Sequence, residues 1–171
     1  RQRQMCIRDS NKLDSGVDGE VCIRGDNVTN GCENNEEANK TAFINGWFRT
    51  GDQGHFDDEG YLKISGRLKE IINRGGEKVS PLEVDNILME HEAVEQVVTF
   101  AVKDNLLGEA IGVAIVLKSG IDCNETDIKN YARKHLADFK IPKYIRFLEE
   151  IPKGATGKLQ RIGLAEKLGL E

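Results

Sequence analysis

The sequence predicts an α+β fold, with a compact domain over residues 66–171 preceded by a shorter β-rich segment over residues 11–65. Three observations support this prediction. A hairpin pattern ends near residue 65, a Ser-Pro-x-Glu helix start follows at residues 80–83, and two long β-rich runs come after it. About 100 residues suffice for one compact domain. The first segment is too short and hairpin-like to fold alone, so we expect it to be the tail of a larger, truncated N-terminal domain.

Residues 11–65 carry the signals of several short strands and one short helix. The segment GEVCIR, at residues 19–24, alternates apolar and polar residues and predicts a half-buried strand. An Asn-rich surface loop follows, with a short helix around residues 36–42. The segment GWFRT predicts a strand that enters a turn at Gly51 and Asp52. The sequence DDEG, at residues 57–60, lies between two apolar runs and predicts a hairpin.

Residues 66–171 carry the signals of a complete small domain, with a three-stranded sheet, helices and a short hairpin. Residues 68–72 predict a short strand before a Gly-Gly turn. The first helix should begin at Ser80, because Ser80 can cap it, Pro81 suits its first turn, and Glu83 can complete a capping box. The remaining predicted elements are strands at 94–102, 110–118 and 143–148, a helix at 124–138, and a loop at 152–158 before a short C-terminal helix.

The first ten residues, RQRQMCIRDS, show no periodicity that predicts a helix or a strand. Part of this stretch resembles a sequencing-adapter sequence translated in frame, and it lacks the apolar core of a secretory signal. We therefore interpret residues 1–10 as non-native and leave them out of the fold prediction. On this interpretation the natural protein begins further upstream, and the chain is a fragment.

Composition excludes several classes of function. Of the 171 residues 39% are apolar and 31% are charged, which is typical of a globular protein, and the net charge of −5 argues against general nucleic-acid binding. No apolar run approaches the length of a membrane span, and no secretory signal or Ser-Lys-Leu tail is present, so we expect a cytoplasmic protein. The four cysteines, Cys6, Cys22, Cys32 and Cys123, are scattered and predict neither a zinc site nor a disulfide frame.

Four short motifs could carry chemistry, and each also has an ordinary structural explanation. Asp52 ends a turn, where its carboxylate could accept hydrogen bonds from the two hydroxyls of a ribose or could bond its own backbone. Arg67 could offer its planar guanidinium to a phosphate or could lie at a solvated strand edge. Gly75 and Gly76 could let the backbone approach a ligand closely or could simply form a tight turn. The loop at 152–158 is not a P-loop, and its Lys158 could deliver an ammonium group to a site or remain a surface lysine.

These motifs are more specific together than apart. They occur in the order GEVCIRG at 19–25, GWFRTGD at 46–52, GRLKEII through GGEKVSPLEV at 66–84, and PKGATGK at 152–158. This set resembles the adenylate-forming superfamily, which contains acyl-CoA synthetases, luciferase-like enzymes and peptide-synthetase adenylation domains. The resemblance covers the chain from residue 16 to its end.

The resemblance implies a ligase with two half-reactions. A carboxylic acid attacks the α-phosphate of ATP, which gives an acyl-adenylate and pyrophosphate, and the thiol of coenzyme A then displaces AMP. A small C-terminal cap domain, here residues 66–171, swings between one pose for each step. Mg²⁺ would accompany ATP, with its ligands in the missing N-terminal domain.

The resemblance also implies roles for single residues. Lys158 matches the catalytic lysine of adenylation, Asp52 and Arg67 match residues that bind ATP or AMP, and Lys69 matches the hinge. Four further residues would bind coenzyme A: Gly75, Gly76 and Glu77 line the pantetheine path, and Lys140 meets a CoA phosphate. At position 154 a glycine stands where relatives more often have threonine.

Parts of the family pattern are absent from the sequence, namely the Ser/Thr/Gly-rich phosphate loop and the stretch that binds the adenylate. We therefore expect the fragment to be inactive alone. The strings NRGGEKVSP and DFKIPK look closest to oxalate-CoA ligase-like and to medium-chain or aryl acid synthetases. Two alternatives stay open: a fragment of a peptide-synthetase adenylation domain, and a non-catalytic module that binds a nucleotide or a partner.

Overall fold

The computed structural model describes the backbone of residues 2–6 and all atoms of residues 13–31, 33–154, 157 and 159–170. The chain forms two compact units, Arg1–Lys69 and Glu70–Glu171. Among the described residues, none of the helices combines the length and the apolar character that crossing a membrane requires.

The first unit is built on one antiparallel sheet in the order β1-β2-β4-β3, with β5 paired to β4. The hairpin between β4 and β5 turns at residues 57–60, as the sequence predicted. The elements of the first unit are β1 (Gln2–Cys6), β2 (Gly19–Arg24), α1 (Glu36–Ala42), β3 (Phe43–Ile44), β4 (Trp47–Phe56) and β5 (Leu62–Arg67).

Strand β1 departs from the sequence analysis, which left residues 1–10 out of the fold. Gln2–Cys6 pairs antiparallel with β2, with Gln2 opposite Arg24 and Cys6 opposite Glu20. An edge strand offers backbone N–H and C=O groups that any extended segment can satisfy. The pattern of side chains along residues 2–6 therefore cannot predict that this backbone pairs with β2.

The second unit is built around β9, which pairs antiparallel with β8 and parallel with β10. A short hairpin of β6 and β7 joins this sheet where Arg74 pairs with Gly108. The α+β prediction is therefore confirmed, and the predicted hairpin extends the three predicted strands to a five-stranded sheet. The elements are β6 (Ile72–Arg74), β7 (Glu77–Val79), α2 (Pro81–Met89), β8 (Val94–Asp104), β9 (Gly108–Leu117), α3 (Glu125–His135), β10 (Tyr144–Phe147) and α4 (Leu164–Lys167).

Two local predictions need correction. The predicted strand over residues 68–72 is wrong in its first half, because Leu68–Glu70 forms a 3-10 turn and the strand starts at Ile72. A short apolar run does not distinguish these two conformations. Helix α2 does begin at Pro81, but the Ser80 side chain makes no capping hydrogen bond to it. Glu83 accepts from Lys140 Nζ at 2.5 Å rather than completing a capping box.

The sheet of the second unit has a core on each face, because successive side chains of a strand point to opposite sides. One core packs α2 and α3 against the sheet, and its fully buried members include Leu88, Ile111 and Ile128. The other packs α4 beneath Phe100. Gly112 belongs to this second face, where an added Cβ would lie 2.7 Å from the Phe100 ring.

Candidate functional site

The turn that carries Asp52 lies in a bulge of the first sheet. Cys22 pairs with Arg49 and Glu20 with Gln53, so that only Val21 lies opposite the three residues 50–52. Such an insertion bends the strand and changes the direction in which its side chains point. Gly51 takes a φ of +74°, which an L-residue rarely adopts.

Glu20 holds this turn in place. One of its carboxylate oxygens accepts hydrogen bonds from Arg49 Nε at 2.7 Å and Nη2 at 2.6 Å. The other oxygen accepts the Gly51 N–H at 3.2 Å. Sequence analysis missed this role because alternation placed Glu20 on the polar face of its strand. In the structure its side chain is largely buried, and the Arg49 guanidinium compensates the buried charge.

Asp52 and Arg67 are brought together directly. They are cross-strand partners on β4 and β5, and Arg67 Nε lies 2.9 Å from Asp52 Oδ1. The Arg67 side chain is 63% exposed and the Asp52 side chain 30%. The pair therefore presents a carboxylate and a guanidinium side by side to solvent.

The Gly-Gly turn of the second unit is a tight hairpin between β6 and β7. Gly75 and Gly76 have φ values of +60° and +93°, which favours glycine at both positions. The Gly75 N–H donates to the Leu107 carbonyl at 2.8 Å, and the Gly76 N–H donates to Asn73 Oδ1 at 3.2 Å. Glu77 follows as the first residue of β7 and is exposed.

Arg74 ties this turn to the segment that carries Lys140. Its Nη1 donates to the Phe139 carbonyl at 2.8 Å, within the 3-10 turn Asp138–Lys140. Lys140 Nζ contacts Glu83 Oε1 at 2.5 Å and lies 5.6 Å from the Phe139 ring centre. Sequence analysis missed Arg74, whose partner is 65 residues away along the chain.

Lys158 lies outside the described residues, but residues close to it in the chain are described, among them Lys153, Gly154, Gly157 and Leu159. Lys153 and Leu159 form a backbone bridge, and the Gly157 N–H donates to the Gly154 carbonyl at 2.9 Å. Gln160 packs where a Cβ on Gly154 would lie, 2.6 Å from its Cδ. A larger residue at position 154 would collide with Gln160, which explains why a glycine fits there.

The other candidates are distributed over the chain. Lys69 is exposed in the 3-10 turn Leu68–Glu70, next to the boundary between the two compact units. Among the described residues no group of three or more His, Cys, Asp or Glu side chains could hold a metal ion. Cys123 is buried, and burial raises the pKa of its thiol, which disfavours a thiolate at neutral pH.

Comparison with known proteins places these features in a family. Residues 83–158 match the AMP-binding enzyme C-terminal domain. The chain belongs to the adenylate-forming superfamily. It is 54% identical over 143 residues to an oxalate–CoA ligase of Arabidopsis thaliana, a match that covers 84% of this chain and 28% of the relative. It is 52% identical over 151 residues to the probable CoA ligase CCL9 of Humulus lupulus, covering 88% and 29%.

Solved structures of adenylate-forming enzymes share the fold. The amide bond synthetase McbA of Marinactinospora thermotolerans matches 97% of this chain and 34% of its own, with 29% identity and a TM-score of 0.90. The o-succinylbenzoate CoA synthetase MenE of Bacillus subtilis, solved with its acyl-adenylate, matches 94% and 32%, with 32% identity and a TM-score of 0.86. MenE has also been solved with ATP and a magnesium ion. The chain spans about three tenths of the length of the curated relatives that it matches.

Proposed function

We propose that this chain is the C-terminal part of an ATP-dependent acyl-CoA synthetase. The reaction would join a carboxylic acid to coenzyme A and convert ATP to AMP and pyrophosphate by way of an acyl-adenylate. The observation that carries the proposal is the similarity to relatives named CoA ligases, at 50–54% identity over 84–91% of the chain. Matches of this extent span parts of both compact units.

Asp52 and Arg67 would bind the nucleotide. A carboxylate can accept hydrogen bonds from both hydroxyls of a ribose, and a guanidinium can donate two parallel bonds to a phosphate. Their 2.9 Å contact supports this role, since each side chain orients the other before the ligand arrives.

Lys158 would act in the first half-reaction. Its ammonium group would offset the charge of the attacking carboxylate and the negative charge that develops at the α-phosphate, and removing such a contact costs about 10²–10³ in rate. Lys69 would be the hinge about which the second unit turns before the second half-reaction. A hinge needs residues that absorb large φ/ψ changes. The position of Lys69 next to the boundary between the compact units supports this proposal.

Coenzyme A would meet the second unit. Gly75, Gly76 and Glu77 would line the pantetheine path, where side-chain-free backbone allows close approach. Lys140 would contact a CoA phosphate only after leaving Glu83, with which it is paired. We therefore expect a smaller contribution from Lys140 than from the turn.

The acyl pocket, the Mg²⁺ ligands and the phosphate loop would belong to an N-terminal domain outside this sequence. The chain alone should then catalyse neither half-reaction. Oxalate is the first acid to test, because two of the relatives are named oxalate–CoA ligases, from Arabidopsis thaliana and Saccharomyces cerevisiae. Medium-chain and aryl acids form the comparison panel.

The decisive experiment separates the half-reactions in the full-length protein that contains this chain. Lys158→Ala should lower acyl-adenylate formation, measured as pyrophosphate exchange, by about 10²–10³. It should spare thioester formation from supplied acyl-adenylate. Lys167→Ala, which removes another lysine of the second unit, is the matched control. Equal loss of both half-reactions in Lys158→Ala would contradict the proposal.

A second candidate function is transfer of the activated acyl group to an amine. The similarity to McbA, an amide bond synthetase with a TM-score of 0.90, favours testing it. Supplying coenzyme A or a panel of amines to the same acyl-adenylate distinguishes the two. Amide formation without thioester formation would replace the first proposal with this one.

A further inference from the structure

The second unit contains a buried ion cluster centred on Arg161. Its Nε lies 2.9 Å from Glu70 Oε2, and its Nη1 lies 2.6 Å from Asp85 Oδ2. Nη1 also donates to the Thr99 carbonyl at 3.2 Å. One guanidinium therefore joins four separate segments of the unit, and it remains 19% exposed.

Asp85 gives the cluster its rigidity. It is buried in α2, and its second oxygen accepts the Thr99 N–H of β8 at 2.7 Å. Burial raises the pKa of the Asp85 carboxyl, while the guanidinium and the Thr99 N–H act in the opposite direction. A buried carboxylate held by a peptide N–H on one side and a guanidinium on the other has one well-defined position.

The cluster reaches the segment next to Lys158. Arg161 follows that lysine by three residues, and Leu159 pairs with Lys153 to close the loop between them. At its other end, Glu70 directly follows Lys69. The cluster thus fixes both the exit of the lysine loop and the start of the second unit to the packed pair of α2 and β8.

We propose that Arg161 is a positioning residue. It anchors the segment that directly follows Lys158 in the chain to α2 and β8, and the action of Lys158 depends on that anchor. This inference rests on the proposed function of Lys158. Without the guanidinium, the Lys153–Leu159 bridge would keep the loop closed, but its exit would no longer be anchored to the sheet. A displacement of about 1 Å in a catalytic group can cost about 10²-fold in rate.

The test must separate position from stability. In the full-length protein, Arg161→Gln should slow acyl-adenylate formation by about 10- to 100-fold. Thioester formation from supplied acyl-adenylate should stay within about twofold, because Lys158 acts only in the first half-reaction. Arg161→Lys keeps the charge but loses the fork, so an intermediate loss is expected.

In Arg161→Gln the buried Asp85 carboxylate has lost its guanidinium partner. The double variant Arg161→Gln with Asp85→Asn removes that unpaired charge. It should restore resistance to denaturant while acyl-adenylate formation stays low. The matched control is Arg133→Gln, since Arg133 lies on the exposed face of α3 and bonds Asn130. This control should match the wild type in both half-reactions.

A second readout needs no activity. In the present chain, hydrogen exchange at Gly157, Leu159 and Gln160 should be about tenfold faster in Arg161→Gln and in the double variant than in Arg133→Gln. Unchanged exchange, equal loss of both half-reactions, or recovery of adenylation in the double variant would overturn the inference. If Lys158→Ala also left adenylation intact, the proposed function would fail, and the exchange data would still decide whether Arg161 holds the loop.

Discussion

The ion pairs of the two compact units differ in how much solvent they face. In the first unit, Asp52 and Arg67 form an exposed cross-strand pair whose arginine is 63% exposed. In the second unit, Arg161 is 19% exposed and satisfies Asp85, whose side chain is 10% exposed. The first pair can exchange its contacts for those of a ligand, whereas the second has lost most of its water, so that either partner left alone would be a largely buried charge.

The same ion-pair chemistry therefore has different consequences in the two units. An exposed pair contributes about 0–1 kcal/mol to folding, which leaves Asp52 and Arg67 free for the proposed role in ligand binding. A buried pair contributes to the fold mainly through the penalty for breaking it. Glu20 and Arg49 lie between these extremes, with a buried carboxylate and a half-buried guanidinium.

Arg161→Met should have the largest effect on folding. It leaves the Asp85 carboxylate buried without its guanidinium, which typically costs about 3–5 kcal/mol of unfolding free energy. Urea titration of the present chain measures this, with Arg133→Met as the control. A loss of unfolding free energy below about 1 kcal/mol at neutral pH would mean that the Arg161 cluster contributes no more to folding than an exposed ion pair does. The two units would then not differ in this respect.

The same variant should show a pH signature. A carboxyl whose pKa is raised by folding stabilises the folded state fully below its unfolded pKa of about 3.8, and that contribution is lost as pH rises through the folded pKa. Removing Arg161 removes a group that lowers the pKa of Asp85. The deficit of Arg161→Met should therefore be larger at pH 7 than at pH 4. A deficit independent of pH would show that Asp85 does not carry it.

Glu20→Gln should have an intermediate effect. The variant keeps an oxygen for the Gly51 N–H but loses the charge that holds Arg49, and hydrogen bonds to charged groups are worth about 1.5–3 kcal/mol. We expect a loss of about 2 kcal/mol in urea unfolding, with exposed Glu59→Gln unchanged. A loss as large as that of Arg161→Met would mean that the burial of an ion pair does not determine how much it contributes to folding.

Local signals predicted much of the fold. Pro81 marks the start of α2, the DDEG turn marks the β4–β5 hairpin, and the two β-rich runs became β8 and β9. Each signal lies within a few residues of the feature that it predicts. The β1 pairing and the 3-10 turn at Leu68–Glu70 lack such a signal, because backbone pairing and short apolar runs are ambiguous without their tertiary neighbours.

The site was predictable only in part, for a related reason. Motifs pointed to Asp52, Arg67 and Lys158, whose roles stay predictions, whereas Glu20, Arg74 and Arg161 act through partners far along the chain. Arg161 lies 91 residues from Glu70 and 76 from Asp85. An aspartate beside the apolar stripe of α2 was the one available hint that a buried partner existed.

The exposed pair should matter little for folding and much for ligand binding. The Asp52→Asn and Arg67→Gln variants and their double variant form a cycle whose coupling free energy should be below about 1 kcal/mol in urea unfolding. In the full-length protein, Asp52→Asn should weaken AMP binding about tenfold or more, because hydrogen bonds to a charged group are lost. Calorimetry measures this. An unchanged affinity of Asp52→Asn for AMP would contradict the proposed binding of the ribose by Asp52.

The smallest effect at neutral pH belongs to Lys143 and Asp104, which are 2.6 Å apart. The Lys143 hydrogen bond, with help from the Leu107 and Leu106 N–H groups, lowers the pKa of Asp104 to about 2 from its ordinary 3.8. Stability from this group is present above pH 3.8 and is lost as pH falls through about 2.

Lys143→Gln should therefore raise the pKa of Asp104 and lower the free energy of unfolding slightly at pH 7. This deficit should shrink as the pH falls below 3.8 and the carboxyl becomes protonated in both proteins. Carbon-detected NMR titration of the Asp104 carboxyl measures the shift, and exposed Lys103→Gln should leave it in place. An Asp104 pKa unchanged in Lys143→Gln would mean that the two loop N–H groups alone hold the carboxylate ionised. The loop at residues 104–107, rather than the ion pair, would then be the element that resists acid.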